Sequence, residues 1–401
     1  MGGGVYGGYA ESELGSTSAD SNTATVTDSI IESGGVYGGY ANTFGESTSA
    51  TADNNTVTVS GSAVEEDGVY GGFAFAYGES NSATADNNTV TVSGNSTTNV
   101  NVYGGYADAE DASSSATANN NTVNIIDSDI QGSVYGAGTS FLSTYTPSLS
   151  AFNNTVTLAG ATNVEGDVFG AYNNYAGGNL DTGRNTLNIR RPKAGGITVG
   201  GDLGNFEYLN FYLPEYFTAG GIMLKVAGDA DIDGSEVYLG FEGSRTLLKA
   251  GDTVTLLSAR NQLASPASTR VQGQSGATLR YDFNIYTQGN ELLATVASMS
   301  LMEQTKALSE GFLGGMGLMI MGADTLADQG IAGAVDAAKV GAAREGSGLA
   351  GFGTVSGGRM RYNTGSHVDV SGFSLLAGLS LGQDLTPGRL TLGAFFRVRP
   401  G

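Results

Sequence analysis

The sequence predicts an all-β chain whose main body is a right-handed parallel β-helix of 33-residue repeats, and three observations carry that prediction. The first is a recurring motif. VYGGYA at residues 5–10 returns at 36–41, as VYGGFA at 69–74 and as VYGGYA at 102–107, then decays to VYGAGT at 134–139 and VFGAYN at 168–173. The second is a companion motif in the same phase: SNTATVT at 21–27, DNNTVTVSG at 53–61 and 86–94, NNNTVNI at 119–125, NNTVTLAG at 153–160 and RNTLNI at 184–189. The opening valines of the first motif lie 31, 33, 33, 32 and 34 residues apart. The apolar residue after the threonine in the second (Val26, Val57, Val90, Val123, Val156, Leu187) steps by 31, 33, 33, 33 and 31. Two motifs locked to one period identify a repeat architecture. The third observation is composition. Residues 1–183 hold five leucines and neither Lys nor Arg, whereas a helical repeat of similar period, such as ankyrin, needs Leu, Ala and charged helix formers. Val, Thr, Tyr, Ser, Asn and Gly are the residues of short strands and turns.

Residues 1–190 are therefore read as the repeat β-helix, one rung per repeat. TVTVSG alternates with period two, and the Gly-Gly after Val-Tyr permits a sharp bend or close packing between coils. Rungs stacked about 4.8 Å apart give a column of roughly 30 Å for six of them. The shared phase predicts that Val57, Val90, Val123 and Val156 stack inside the column. It also places Asn54, Asn87, Asn120 and Asn153, or their neighbours Asn55, Asn88, Asn121 and Asn154, in register.

The repeat weakens at Arg190-Arg191-Pro192-Lys193. Residues 191–300 remain β in character, with strand-like alternation at Ile222–Val226 and Val254–Leu257, and read as a more aromatic end of the same column that caps its open edge. Residues 301–346 read as a linker helix, with Leu308, Phe312, Met316, Met319, Leu326 and Val335 at helical steps and small residues on every face. Its uncharged run from Gly311 to Ala323 has 13 residues, too short to span a membrane as a helix.

Residues 347–401 include two segments that alternate, GFSLLAGLSLG and GRLTLGAFFRVR. Phe373, Leu375, Ala377, Leu379 and Leu381 fall opposite Ser374, Gly378, Ser380 and Gly382. Leu390, Leu392, Ala394, Phe396 and Val398 fall opposite Arg389, Thr391, Gly393, Arg397 and Arg399. Strands of about ten residues with one apolar and one small or polar face are the pattern of transmembrane β-barrels. Arg359 and Arg361 in the preceding strand are expected on the lumen side with the other arginines.

These last segments carry a family resemblance. The stretch from Phe352 through GGRMRYNTGSHVDVSGFSLLAGLSLG to LTLGAFF resembles the opening strands of a bacterial autotransporter translocator domain. GNFEYLNFYLP, MLKVAG and LLKAGDTVTLL resemble the distal passenger region of that family. The resemblance implies type V secretion, in which a β-helical passenger crosses an outer-membrane barrel and leaves a helix in its pore. It implies as partners the outer membrane and its barrel-assembly machinery, and a location at the outer membrane or cell surface. The chain is then expected to be a fragment. Met1 leads straight into a repeat with no export signal, and Arg397-Val398-Arg399-Pro400-Gly401 replaces the acidic, Gly-rich and aromatic continuation of such barrels. Three strands fall short of the eight or so that the smallest membrane barrels need.

Charge and residue usage narrow the function. Residues 1–183 contain 20 Asp and Glu and no base, while 346–401 carry five Arg against Asp369 and Asp384. An all-acidic column repels phosphate backbones, so no nucleic-acid partner is expected. With no cysteine there is neither a disulfide framework nor thiol chemistry. That usage is compatible with the cytosol and equally with passage through an oxidising periplasm. The single histidine, His367, reads as a loop residue at the membrane rim. No catalytic residue, metal or cofactor is expected. Asp53-Asn54-Asn55 and Asp86-Asn87-Asn88 bring calcium repeats to mind, but those need closely spaced nonapeptides. Side-chain amide ladders in β-helix turns account for them better. Tyr6, Tyr37, Tyr70 and Tyr103 form either a sugar-binding strip or, preferably, a packed aromatic ladder. The expected function is a secreted surface protein whose passenger is a structural stalk or an adhesin for a host-surface or glycan ligand. The alternatives are a β-helical enzyme acting on polysaccharide and a freestanding structural β-solenoid.

Overall fold

The computed structural model of the chain describes residues 3–110, 114–140, 148–173, 180–243, 245–264, 269–275, 279–301, 303–343, 348–363, 367–385 and 388–398. They form two compact units, Met1–Ser300 and Leu301–Gly401. The first is a parallel β-solenoid of about seven turns. The third repeat serves as the pattern, with strands Val69–Tyr77, Ser82–Thr84, Thr89–Ser93 and Thr97–Thr98. Each pairs in parallel with its equivalents one repeat before and after. Val69 lies between Val36 and Val102, Ala83 between Ala50 and Ala116, Val90 between Val57 and Val123, and Thr98 between Val64 and Ile130. Four parallel sheets result, here called the aromatic, alanine, valine and fourth sheets in the order the chain visits them. The predicted valine stack is present: Val57, Val90, Val123 and Val156 are fully buried and in register.

The interior is divided in two. One compartment is filled by Val and Ile from the aromatic, valine and fourth sheets, including Val36, Val57, Val59 and Val64. The other is filled almost wholly by alanine, including Ala41, Ala50, Ala52, Ala74 and Ala83. The Gly-Gly pair separates them. A Cβ on Gly38 would lie 2.8 Å from Asn55 Cβ, and one on Gly39 would lie 2.5 Å from Asn55 Nδ2, so both glycines face inward against the same asparagine. Two successive inward residues break the strand's alternation. Tyr37 and Tyr40 consequently emerge on the same outer face, although they stand three residues apart.

The sheets run through residue 190 without a break; what changes there is the cross-section. The alanine sheet ends at Leu180–Gly183, while the other three continue to Glu236–Glu242, Thr253–Ala259 and Leu263–Ala264. In the repeats the chain passes from the aromatic to the valine sheet through an alanine strand between Phe44 and Thr56. Later it goes from Leu203–Gly204 directly to Tyr208–Pro214, too few residues for an extra strand. Bulk compensates for the lost layer, with Phe206, Phe211 and Phe217 buried here. The fourth sheet then turns antiparallel, Thr253–Ala259 pairing with Glu291–Leu301. Tyr281, Phe283 and Ile285 of Leu279–Gln288 join the core of the valine compartment.

The second unit is a helix followed by a three-stranded antiparallel sheet. The helix runs as Glu303–Asp324, a π-helical turn at Thr325–Gly330, and Ile331–Ala343. Leu349–Asn363, His367–Leu385 and Gly388–Val398 form the sheet in chain order.

Candidate functional site

Three constellations singled out by the sequence can be built up from their residues. At the Asp-Asn-Asn corner, each of the three residues has a separate task. Asp53 Oδ1 accepts the Asp86 backbone N–H at 2.7 Å, as Asp20 Oδ1 does for Asp53 (2.8 Å) and Asp86 Oδ1 for Asn119 (2.6 Å). Asn54, Asn87, Asn120 and Asn153 turn the corner in the left-handed region, with φ of 59°, 59°, 57° and 58°, which Asn tolerates better than most residues. Asn55, Asn88, Asn121 and Asn154 point inward and are fully buried. Asn88 Oδ1 accepts the Asn55 backbone N–H at 2.8 Å and its amide N–H at 3.1 Å; the backbone bond repeats from Asn22 to Asn185, and the amide bond at every step except Asn121, whose Nδ2 has no partner among the described residues. Glu207 closes the ladder by accepting the Asn185 N–H at 2.7 Å. The corner thus carries two ladders running in opposite directions, an outer one of carboxylates and an inner one of amides. Burial lifts the Asp53 carboxyl to about 6, against a smaller lowering by the Asp86 N–H, and burial also raises Asp86. Among the described residues no group of three His, Cys, Asp or Glu is arranged to hold a metal ion.

The tyrosines form two stacked ladders. Tyr6–Tyr37, Tyr37–Tyr70, Tyr70–Tyr103 and Tyr103–Tyr135 have ring centroids 4.9, 5.1, 5.1 and 4.9 Å apart. Tyr9, Tyr40, Phe73 and Tyr106 continue the second at 5.1, 5.1 and 5.4 Å. The ladders meet edge to face, Tyr37 against Tyr40 at 5.3 Å and 90°, the favourable geometry of ring quadrupoles. Burial pushes the Tyr37 hydroxyl well up, helped by its 2.6 Å hydrogen bond to Asp67, and lifts Tyr106 to about 12. From Tyr37 to Tyr103, and for Tyr40 and Phe73, both faces of each ring are covered by its rung neighbours, which leaves only edges there for a sugar. The packed ladder, rather than a strip for stacking saccharides, is what this geometry makes.

The third constellation is the helix on the terminal sheet, where large apolar side chains lie on both faces: Val370 and Leu376 are buried on the helix side, and a longer row stands on the open side. The helix meets the sheet mainly through small residues: among its described side chains Gly317, Gly322, Thr325, Gly330, Ala337, Ala338 and Gly341 are buried. A Cβ on Gly333 would lie 3.2 Å from the Phe352 ring and one on Gly341 2.5 Å from Gly348 O. Three polar contacts fix it. Thr325 Oγ1 and Ser356 Oγ are 2.7 Å apart, Thr354 Oγ1 donates to Gln329 Oε1 at 2.6 Å, and Ser380 Oγ donates to Ala334 O at 2.6 Å. The π-helical turn holds one extra residue per turn, which keeps this small stripe on the sheet along its length. Phe312, Met316, Met319 and Val335, spaced at helical steps in the sequence, are exposed instead. On the sheet's opposite face Phe373 is 56 % exposed, Leu379 57 %, Leu392 58 % and Phe396 64 %. Ser374 and Ser380, on the helix side, are buried. Arg359 and Arg361 correct an expectation. They alternate in phase with Val355, on the apolar face rather than the helix side, and at the strand end both pair with Asp369, at 3.5 and 2.8 Å. A cation near the rim of an apolar face can be neutralised by a partner across the hairpin, an option invisible to alternation alone. His367 pairs with Asn363 where that hairpin closes. No helix among the described residues is long and apolar enough to cross a membrane.

Comparison with known proteins adds no relative: no family model matches the chain, and neither a curated protein nor a solved structure matches it significantly.

Proposed function

We propose that this chain belongs to a surface protein secreted through an outer-membrane barrel. In this reading the β-solenoid is the exported passenger, the three terminal strands are barrel wall, and the small-faced helix lies in the lumen. The observation that carries the reading is the band of large apolar side chains on the open face of the sheet in the second unit. A soluble α/β layer hides its large apolar side chains beneath the helix. Here the helix covers Ser356, Ser374 and Ser380 together with Val370 and Leu376, while Phe373, Leu375, Leu379, Leu392 and Phe396 face outward. An outward apolar band over an inward small or polar face is what a barrel wall in lipid requires. Strands in hydrocarbon also require a closed ring of hydrogen-bonded neighbours, so the reading includes further strands from elsewhere in the parent protein. The solenoid serves as a stiff, acidic stalk that carries a binding surface away from the membrane.

The test uses cells that produce the protein from its own gene. Membrane fractionation should place the protein in the outer membrane, and protease added to intact cells should cut the tyrosine repeats while the terminal strands stay protected. Recovery in a soluble fraction, with the repeats out of reach of external protease, would refute the proposal.

A further inference from the structure

The outer face of the fourth sheet holds a groove of about 660 Å³ that takes no part in the ladders or the terminal sheet. Asn163, Thr198, Lys225 and Ser258 stand opposite one another in successive strands. Their neighbours Val164, Val199, Val226 and Ala259 are buried on the other side. The four side chains therefore make an outward row with one strand spacing, about 4.8 Å, between members. A second row, Glu165, Gly200, Ala227 and Arg260, runs beside it. Its register is set by N–H bonds from Gly200 to Val164 O (2.7 Å), Ala227 to Val199 O (2.8 Å) and Arg260 to Val226 O (2.8 Å). The two small residues in the middle of this row make a low floor. Glu165 and Arg260 close its ends, three strand spacings or about 14 Å apart.

Arg184, Lys193 and Lys249 each stand exposed without an ion pair among the described residues, but this groove brings two such cations together. Arg190 and Arg191 pair with Glu242, and Arg245 with Glu215. Lys225 and Arg260 have no ion pair among the described residues and are exposed, in a chain of net charge −21. Two uncompensated cations lie at one end of a concavity whose wall otherwise offers an amide and two hydroxyls. We propose that this groove is a binding site for an acidic oligosaccharide. Lys225 and Arg260 would take its carboxylate or sulfate through charge-assisted hydrogen bonds. Asn163, Thr198 and Ser258 would exchange hydrogen bonds with its hydroxyls at the strand repeat, and Glu165 would accept from a hydroxyl at the far end. The Gly200–Ala227 floor leaves room for the apolar face of a sugar ring, and the length suits a short chain of sugars over a single one. A nucleic-acid chain would extend past the groove onto the acidic rungs, which repel its phosphates, whereas a short sugar chain stays within it. The site stands independently of the outer-membrane reading, because it belongs wholly to the solenoid.

The experiment is calorimetric titration of the full chain in detergent with a galacturonate trisaccharide, a heparin-derived tetrasaccharide and neutral maltotriose. At least one acidic ligand should saturate a single site, with affinity falling as salt rises and maltotriose at least ten-fold weaker. The carboxylate and sulfate arms tell which anion the groove prefers. K225Q/R260Q should lose at least ten-fold in affinity while its far-UV circular dichroism stays that of the parent. K249Q, which removes an exposed cation outside the groove, should bind as the parent does. Equal binding of maltotriose, an unchanged K225Q/R260Q, or no saturation by either acidic ligand at millimolar concentration would overturn the proposal.

Discussion

Replacing Asn88 by alanine isolates the contribution of the inner ladder to the solenoid. The Asn88 side chain takes part in three hydrogen bonds: its Oδ1 accepts the Asn55 backbone N–H (2.8 Å) and amide N–H (3.1 Å), and its own amide donates to Asn121 Oδ1 (3.2 Å). Alanine leaves two buried Asn55 donors without an acceptor. Asn121 Oδ1 keeps a bond, from the Asn88 backbone N–H at 2.8 Å. An orphaned buried donor costs about 1–3 kcal/mol, so the loss should be about 4 kcal/mol. Water is a poor substitute, since the site is fully buried between two apolar compartments. Asn87→Ala is the matched control one residue away. Asn87 is exposed and left-handed, so alanine there gives up about 1 kcal/mol of conformational preference. Urea unfolding of the full chain in detergent, followed by tyrosine fluorescence, measures both, as there is no tryptophan to mask the signal. A loss below about 1 kcal/mol for Asn88→Ala, or one no larger than that of Asn87→Ala, would refute the view that the amide ladder holds the rungs together.

Three further outcomes are expected. Gly71→Ala should destabilise by more than about 3 kcal/mol, because the new Cβ would lie 2.1 Å from Gly104 O and 2.8 Å from Asn88 Cβ. The carbonyl belongs to the neighbouring rung, so Asn88→Ala should not rescue the variant, as urea midpoints of the double variant will check. Burial pushes the Asp53 carboxyl up to about 6, well above the ordinary carboxylate range. A carboxyl whose folded value is raised is penalised when ionised, so its contribution to stability is lost as pH rises from about 4 to 6. After allowance for partial exposure the loss is about 1 kcal/mol, and midpoints measured at pH 4 and 7 should differ by that much more in the parent than in Asp53→Asn. In the second unit, Gly341→Leu puts a side chain where even a Cβ would sit 2.5 Å from Gly348 O. It should lift the helix end off the sheet, and faster amide exchange in Leu349–Asn363 with unchanged exchange in the solenoid would register the change.

The sequence by itself determined the repeat, its period and its strand chemistry, because stacking identical rungs is a local rule: the same residue in each repeat must meet its own copy. Val57, Val90 and Val123, the asparagine register and the tyrosine stack all follow from phase alone. The alternation of Phe373 to Leu381 against Ser374 to Gly382 was legible for the same reason, since a strand's two faces are fixed by parity. Tertiary structure decided what parity does not encode. The two inward glycines, and hence two tyrosine ladders instead of one, depend on Asn55 reaching across the column. The loss of the alanine sheet after Gly183 depends on how many residues separate strands, which weakened repeats conceal. Which side of the helix meets the sheet was settled by close backbone approach at Gly333 and Gly341, because glycine has no hydropathy with which to announce a contact. The groove along Asn163, Thr198, Lys225 and Ser258 had no motif either. Its members are 35, 27 and 33 residues apart, and only irregular rungs folded into register bring two unpaired cations to one concavity.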